Sequence, residues 1–275
     1  MGIPLYFRYL IKNYDNIISQ NNKFPTSTNL YLDLNCAIHY CCREVLEENP
    51  YSKQKHNSIE HKMILNVIKY IKLLVNYSQP QKLLFIAIDG PAPKAKMVQQ
   101  RQRRFKKFYE QDKTQQLKNK HKIVEEKVDI WDTNAITPGT QFMDKLAKTL
   151  KQNLETDKVF QHLQIIISDS NIPGEGEHKL LHHLRENTEK ETINVIYGLD
   201  ADLIMLCMSS KKDKILLLRE AVEFNNTIHI NGYKFLYLQI DNLKYNLTNE
   251  ILLRMDRHNM SDEERSNILD DYIFF

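Results

Sequence analysis

The sequence predicts an α/β fold with a mixed, mostly parallel central sheet that is flanked by helices. Four short apolar runs are continuous rather than alternating: residues 30–32, 83–88, 163–167 and 194–197. Strands that are buried on both faces of a parallel sheet have this pattern. Helix-like segments lie between and beside these runs, at residues 59–77, 94–122, 139–154 and 175–185. Strands that alternate with helices indicate parallel pairing with right-handed crossovers.

The rest of the chain extends the same organisation. Residues 215–218 and 234–238 have strand-like composition, and residues 242–275 have the pattern of two helices. The chain has 275 residues, of which 42% are hydrophobic, which is enough for a sizeable core. We find no linker and no internal repeat. The sequence therefore predicts a single domain over residues 1–275.

Positive charge is concentrated in residues 94–122. The formal net charge is only +3, but residues 94–122 contain eleven Lys or Arg and only two acidic residues. A basic block on a nearly neutral chain indicates that a polyanion is contacted at one place. The alternative interpretation is an ordinary solvated helix face, and charge alone does not separate the two.

Composition also excludes several classes of protein. The four cysteines form no CxxC pair, so neither a disulfide framework nor a zinc site is indicated, and a reducing compartment is expected. The N-terminus lacks a signal-peptide pattern. No apolar run approaches the roughly 18 to 20 residues that span a bilayer. We expect a soluble intracellular protein with no membrane contact.

Each of the four main predicted strands ends in a carboxylate: Asp33, Asp89, Asp169 and Asp200, with Asp202 two residues further on. Ligands of open α/β sheets bind beyond the carboxyl ends of the strands. Several carboxylates at that edge would repel one another, and oxygen ligands favour Mg²⁺, or Mn²⁺ as the alternative. A single aspartate of this kind could equally be a helix cap or a turn residue. That alternative weakens when four strands end in the same way.

The segment Pro-Gly-Glu-Gly-Glu-His at residues 173–178 adds Glu175 and Glu177 at a predicted helix start. Acidic residues are favoured in the first turn of any helix, which is the alternative explanation. That explanation does not account for the two interleaved glycines. With six carboxylates, two metal ions about 3.5 to 4 Å apart become feasible, as in two-metal phosphoryl chemistry.

The basic segment contains candidate phosphate-binding residues close in sequence to these acids. Lys96, Gln100, Arg103 and Arg104 fall on one side of a helix, and Lys96 follows Asp89 by only seven residues. Arginine binds phosphate oxygens through paired hydrogen bonds. His39, in the next helix after Asp33, could stack on a base there, although by itself it decides nothing.

These residues lie in segments that resemble the N-terminal catalytic region of the Xrn family of 5′→3′ exoribonucleases. The matching segments follow the order of the family over nearly the whole chain: MGIPLYFRYL, LYLDLNCAIHYC, IAIDGPAPKAKMVQQRQRRFK, DTNAITPGTQFM, IPGEGEHKLL, YGLDADLIML and ILLLRE. The resemblance implies a nuclease core of the PIN and FEN type with an acidic site at the carboxyl ends of the strands.

The resemblance also implies roles for individual residues. Six acids match the metal-binding and catalytic set of the family: Asp33, Asp89, Glu175, Glu177, Asp200 and Asp202. Four residues match its pocket for a 5′-terminal monophosphate: Lys96, Gln100, Arg103 and Arg104. His39 matches a residue that stacks on a base. The implied substrate is single-stranded RNA with a 5′-monophosphate, which is hydrolysed processively to mononucleotides, whereas capped or triphosphorylated ends are rejected. Protein partners are not implied.

Two departures from the family pattern affect these expectations. Asp169 falls where the family usually has no acid, so it is not expected to be a ligand. The chain ends at residues 271–275, before a family motif that holds another metal-binding aspartate. We expect either a fragment or a truncated protein, and the apolar C-terminal end favours a fragment. Two other functions stay open: a structure-specific 5′ DNA flap nuclease and a catalytically weak RNA-binding module. The short connection at residues 107–132 resembles the cytoplasmic branch, with the nucleus as the alternative location.

Overall fold

The central sheet joins strands from nearly the whole length of the chain. The computed structural model describes residues 5–19, 26–121, 129–187, 189, 191–220, 228–230, 233–257 and 260–274. Eight strands in these residues form one sheet: β1 (Ile18–Ser19), β2 (Asn29–Asp33), β3 (Leu83–Ala87), β4 (Gln164–Ser168), β5 (Asn194–Tyr197), β6 (Ile215–Glu220), β7 (Ile228–Ile230) and β8 (Tyr233–Gln239).

Helices of the described residues cover both faces of this sheet. They are α1 (Tyr6–Asn13), α2 (Asn35–Glu48), α3 (His56–Ser78), α4 (Lys94–Lys120), α5 (Gln141–Thr156), α6 (Gly176–Glu186), α7 (Asp202–Met208), α8 (Ile240–Arg254) and α9 (Asp262–Phe274). Short 3₁₀ turns occupy Lys53–Lys55 and Thr133–Ala135.

The strand order confirms the predicted mostly parallel sheet. The order is β1-β8-β6-β5-β2-β3-β4, with β7 paired to β8. Strands β2 to β6 are parallel to their neighbours within this set, and the pairs of β8 with β6, β1 and β7 are antiparallel. The chain adds β3 and β4 on one side of β2 and then β5 and β6 on the other. The strand order therefore reverses between β2 and β5, which is where open α/β sheets form their ligand crevice.

Two hydrophobic clusters hold the helices on the sheet. Alternate strand residues point to opposite faces, so Leu32 and Ile86 pack with α2, α3 and α5, whereas Tyr31 and Phe85 pack with α1, α6, α7 and α8. Strands β2, β3 and β5 are buried along their whole length, which explains why their sequences are continuously apolar. Strand β4 lies at the edge, and Gln164 is exposed there.

Helix α4 differs from α2, α3, α5 and α8 because none of its described side chains is fully buried. Its half-buried residues are Lys96, Gln99 and Gln100 in the first two turns and Lys118 near the end. Most of the described residues of α4 after its first two turns are therefore exposed to solvent.

The six predicted strand segments and the predicted helices all occur, with bounds that differ by a few residues. Helices α1 and α7 and the short strands β1 and β7 are additions that apolar periodicity did not predict. Residues 1–4, 122–128, 258–259 and 275, which belong to segments discussed above, lie outside the described residues. None of the helices in the described part of the chain has both the length and the hydropathy that crossing a bilayer requires.

Candidate active site

The acids at the carboxyl ends of β2 and β5 flank the point where the strand order reverses. Asp33 ends β2, and Gly198 follows the residue that pairs with Leu32, so the loop to Asp200 begins directly beside Asp33. A side chain at Gly198 would collide with Leu203, whose Cδ2 would lie 2.3 Å from the added carbon. Glycine therefore lets α7 pack closely under this loop.

Three acids converge in this crevice. Single carboxylate oxygens of Asp33, Glu177 and Asp200 all lie within 4.8 Å of one another. Asp33 and Glu177 are buried, and Asp200 is exposed, so the cluster opens to solvent on one side. Oδ1 of Asp33 is buried without a hydrogen-bond partner among the described residues. A buried carboxylate oxygen without a donor is costly unless a cation or proton is supplied.

The start of α6 brings Glu175 and Glu177 to the cluster. Glu175 occupies the N-cap position with an extended backbone, and Glu177 lies in the first turn of the helix. The two carboxylates therefore need not point apart as they would inside a helix. The backbone N–H of Gly176 donates to Oδ1 of Asp89 at 2.7 Å. A Cβ at position 176 would lie 2.6 Å from Oδ1 of Asp33. Only glycine leaves room for the neighbouring carboxylates.

Burial and mutual repulsion shift the protonation of these acids. Burial is the largest cause of a rise in the pKa of Asp33 to about 8, and the charges of Asp89, Glu177 and Asp200 raise it further. Burial likewise raises the pKa of Glu177 to about 7, and the charge of Glu175 adds to the rise. The pKa of Asp89 is also raised by burial. Without positive charge the cluster therefore holds protons at neutral pH.

Two lysines supply part of the missing positive charge. Nζ of Lys96 forms an ion pair with Glu175. Burial by itself would lower the pKa of Lys96, but the bond to Glu175 and the nearby acids outweigh it and raise the pKa. Nζ of Lys179 donates to the backbone carbonyls of Ile88 and Asp169, each at 2.8 Å, and so ties the ends of β3 and β4 together. Burial lowers the pKa of Lys179, against the attraction of Asp89.

A cleft of about 360 Å³ adjoins the acids and shares Asp89 with them. One wall consists of the predicted phosphate and base contacts together with Asn35, and the opposite wall is the segment before α5. The residues that line it are Asn35, His39, Asp89, Gln100, Arg103, Arg104, Thr133, Asn134, Ile136, Thr137, Pro138 and Met143. The structure thus places three members of the predicted phosphate pocket, and His39, around one space.

The opposite wall is held rigidly against the core. Trp131 is buried and meets the ring of Phe142 edge-on, with 5.3 Å between the ring centroids. Oγ1 of Thr140 accepts from the N–H of Met143 and thereby caps α5, while its hydroxyl donates to the carbonyl of Ala135. Both ends of this wall are therefore anchored by packing or hydrogen bonds.

Two acids lie at the margin of the cluster or outside it. Asp202 begins α7, is half-buried and raises the pKa of Glu177 through its charge. The carboxylate of Asp169 instead accepts from the N–H of Asn171 in a turn, and Asp169 lines a separate pocket beside β4 and α5. The expectation that Asp169 is not a ligand agrees with this position.

Comparisons with known proteins match the sequence of this chain to one family. A family model described as "XRN 5'-3' exonuclease N-terminus" matches residues 1–221. This chain belongs to that family. The resemblance inferred from the sequence segments is therefore confirmed, and the α/β nuclease fold is the one expected for it.

Named relatives agree with the family assignment. The protein named 5'-3' exoribonuclease 2 of Emericella nidulans is 37% identical over 280 residues, which cover 84% of this chain and 26% of the relative. Proteins of the same name from Kluyveromyces lactis and Saccharomyces cerevisiae are 38% and 37% identical and cover 82% and 81% of this chain. The chain spans about a quarter of the length of these relatives.

Sequence reasoning missed several residues of this XRN-family site. Asn35 accepts a hydrogen bond from the N–H of Asp89 through Oδ1, at 3.2 Å, and lines the cleft. The wall that contains Thr133 and Thr137 lies in a segment that matched the family but had no assigned role. Lys179 likewise lies in a matching segment, IPGEGEHKLL, but had no assigned role. Lys96, in contrast, was expected in the phosphate pocket, but it pairs with Glu175 and is not among the residues that line the cleft.

We expect Asp33→Asn to stabilise the metal-free protein more strongly as the pH rises. Below the usual pKa of 3.8 the Asp33 carboxyl is protonated in both the folded and the unfolded state. Between 3.8 and about 8 it ionises first in the unfolded chain, so the wild-type protein loses stability as the pH rises through this window. The asparagine side chain of the variant cannot ionise and avoids this loss. Thermal unfolding in a chelator from pH 4 to 9 measures the difference.

A divalent cation serves as the control in that experiment. Excess Mg²⁺ should stabilise the wild-type protein more than Asp33→Asn, because it compensates the carboxylate that the variant lacks. A stability difference that does not change with pH in the chelator would contradict the electrostatic account of the cluster.

Proposed function

We propose that this chain carries the catalytic site of a 5′→3′ exoribonuclease that hydrolyses 5′-monophosphorylated RNA to mononucleotides. The observation that carries the proposal is that Asp89 belongs both to the acidic site and to the basic cleft. A terminal phosphate in the cleft would place the first phosphodiester bond next to the acids. The names of the relatives, 5'-3' exoribonuclease 2, support RNA as the substrate and the 5′ end as the starting point.

The acids fit a hard divalent cation, and we propose Mg²⁺, with Mn²⁺ as the alternative. The donors are carboxylate oxygens, and neither imidazole nor thiolate belongs to the cluster formed by Asp33, Glu177 and Asp200. Glu175, Asp89 and Asp202 complete the proposed set. When bound, such ions would make an attacking water more acidic and stabilise the leaving oxygen, which is the chemistry of two-metal nucleases.

The residues of the cleft would orient the RNA. Arg103 and Arg104 would bind the terminal phosphate through charge-assisted hydrogen bonds, with Gln100 beside them. His39 is exposed at the cleft and would stack on a base near the 5′ end. A cleft of about 360 Å³ has room for a terminal phosphate and part of the first nucleotide.

Lys96 would act between the two parts of the site. Its ion pair with Glu175 places a positive charge between the acids and the cleft, where it would attract the phosphate and limit repulsion by the carboxylates. The location of the protein in the cytoplasm and the single-domain organisation stay predictions from the sequence.

The test of the proposal compares RNAs that differ only at the 5′ end. With Mg²⁺, we expect degradation of 5′-monophosphate RNA and little degradation of the 5′-hydroxyl and 5′-triphosphate forms, with mononucleotides as products. Equal degradation of all three would exclude a terminal-phosphate pocket. Binding without degradation would favour an RNA-binding module, and preferential cleavage of a 5′ DNA flap would favour the DNA nuclease.

Asp89→Ala should abolish turnover and leave RNA binding largely intact, because it removes a carboxylate from the acidic site but no cationic residue from the cleft. The matched control is Asp169→Ala, which removes another strand-end aspartate that lies in a separate pocket. We expect this control to retain activity within a few-fold. Single-turnover cleavage and filter binding of the same RNA measure both quantities, and wild-type rates in Asp89→Ala would contradict the assignment.

Arg103→Ala should raise KM for 5′-monophosphate RNA by about tenfold or more, since a hydrogen bond to a charged group contributes roughly 1.5 to 3 kcal/mol. The effect on 5′-hydroxyl RNA should be small, so end selectivity falls. Arg101→Ala removes the same charge from the same helix at an exposed position outside the cleft, and selectivity should be unchanged. Equal effects of the two substitutions would reduce the role of Arg103 to general attraction of RNA.

A further inference from the structure

Arg219 is a buried cation at the same edge of the sheet as the acids. It lies near the end of β6, opposite Leu236 of β8, and is only 9% exposed. Placing a guanidinium in the interior is costly unless its charge and its donors are used. The sequence shows only an arginine after the apolar run Ile-Leu-Leu-Leu, which would ordinarily be a solvent-facing residue at the end of a strand.

The guanidinium connects two segments that are far apart in the chain. Its Nη2 donates to the backbone carbonyl of Leu199, the residue before Asp200. Its Cζ lies 4.0 Å from the centroid of the Phe7 ring in α1, which is a favourable cation–π distance. Nε and Nη1 are buried without hydrogen-bond partners among the described residues. One aromatic ring and one carbonyl therefore stabilise the guanidinium, which lacks a full set of hydrogen-bond acceptors among the described residues.

Asp200 is close enough to influence this charge. Burial lowers the pKa of Arg219 to about 10, and the carboxylate of Asp200 opposes that shift. The side chain stays protonated at neutral pH. Its positive charge thus acts on the exposed acid of the cluster, while its hydrogen bond fixes the backbone that carries this acid.

We propose that Arg219 is a positioning residue that holds Asp200 within reach of Asp33 and Glu177, and that Phe7 keeps Arg219 in place. The proposal rests on the proposed function, because the cluster is taken to bind a divalent cation. It also gives a role to two family-matching segments, MGIPLYFRYL and ILLLRE, which the acids and the cleft leave unexplained.

The alternative is that Arg219 only packs against α1. A packing role predicts lower thermal stability with unchanged cation affinity. A positioning role predicts weaker cation binding and lower kcat with little change in KM for RNA, because α4 and the cleft are untouched. Cation affinity and the split between kcat and KM therefore separate the two.

The experiment compares Arg219→Met, Arg219→Lys and Phe7→Leu with the control Arg185→Met. Arg185 is exposed and donates to Oγ of Ser209, at 2.9 Å, outside the site. Mn²⁺ binding is followed by electron paramagnetic resonance in the absence of RNA, and kcat and KM are measured on 5′-monophosphate RNA. Thermal midpoints are recorded for every variant.

We expect Arg219→Met to weaken Mn²⁺ binding by about 10- to 100-fold, in the range for groups that orient metal ligands, with KM for RNA nearly unchanged. Arg219→Lys, which keeps the charge but not the planar fork, should recover part of the loss. Phe7→Leu should show a smaller loss in the same direction, and Arg185→Met should show none.

Wild-type Mn²⁺ affinity in Arg219→Met, with only a lower thermal midpoint, would overturn the proposal. If Arg219→Met does not fold, the Mn²⁺ affinity of Phe7→Leu decides between the positioning role and the packing role. This substitution keeps an apolar side chain at position 7 and removes only the ring. If the wild-type protein binds Mn²⁺ but does not cleave RNA, the proposed function fails, and the Mn²⁺ measurements still decide the role of Arg219.

Discussion

Repulsion among buried carboxylates is the constraint on which the site depends. Asp33 and Glu177 are buried within 4.8 Å of each other and of Asp200, and in the absence of other charge they resist ionisation. Such a cluster reduces the stability of the protein near neutral pH unless a cation binds. The surrounding fold must therefore hold the acids in a geometry that they would not adopt by themselves.

The fold meets this constraint mainly through the backbone. The change in strand order between β2 and β5 brings Asp33 and the Asp200 loop side by side, and the start of α6 delivers Glu177 between them. Glycines at positions 176 and 198 remove the side chains that would collide with the acids or with Leu203. The N–H of Gly176 and the amino groups of Lys96 and Lys179 offset part of the negative charge.

Much of this arrangement could be predicted from the sequence because it follows from chain direction. Parallel strands end at one edge, so proximity of Asp33, Asp89 and Asp200 was expected once the strands were recognised, although Asp169 after the edge strand β4 lies apart. Helical spacing likewise placed Gln100, Arg103 and Arg104 on one side of α4. The roles of the acids and of the cleft remain proposals, although their proximity is a property of the structure.

The remainder depends on packing between distant segments, which local patterns do not encode. Lys96 has the same helical spacing as the other residues of the predicted phosphate pocket, but its ammonium group forms an ion pair with Glu175. Arg219 follows an apolar run and would be placed in solvent, whereas α1 covers it. Thr133 and Thr137 form a cleft wall only because Trp131 and Phe142 anchor that segment.

Most described residues in the later turns of helix α4 are exposed to solvent and do not line the cleft. Among its described residues only Lys96, Gln99, Gln100 and Lys118 are partly shielded from solvent. Its later turns contain contacts within the helix, such as those of Lys106 with Glu110 and Gln116 with Asp112. Most of the partly buried residues of the helix therefore lie in its first two turns. Asp89 is instead held by the side chain of Asn35 and the N–H of Gly176, so its geometry does not depend on the distal turns of α4.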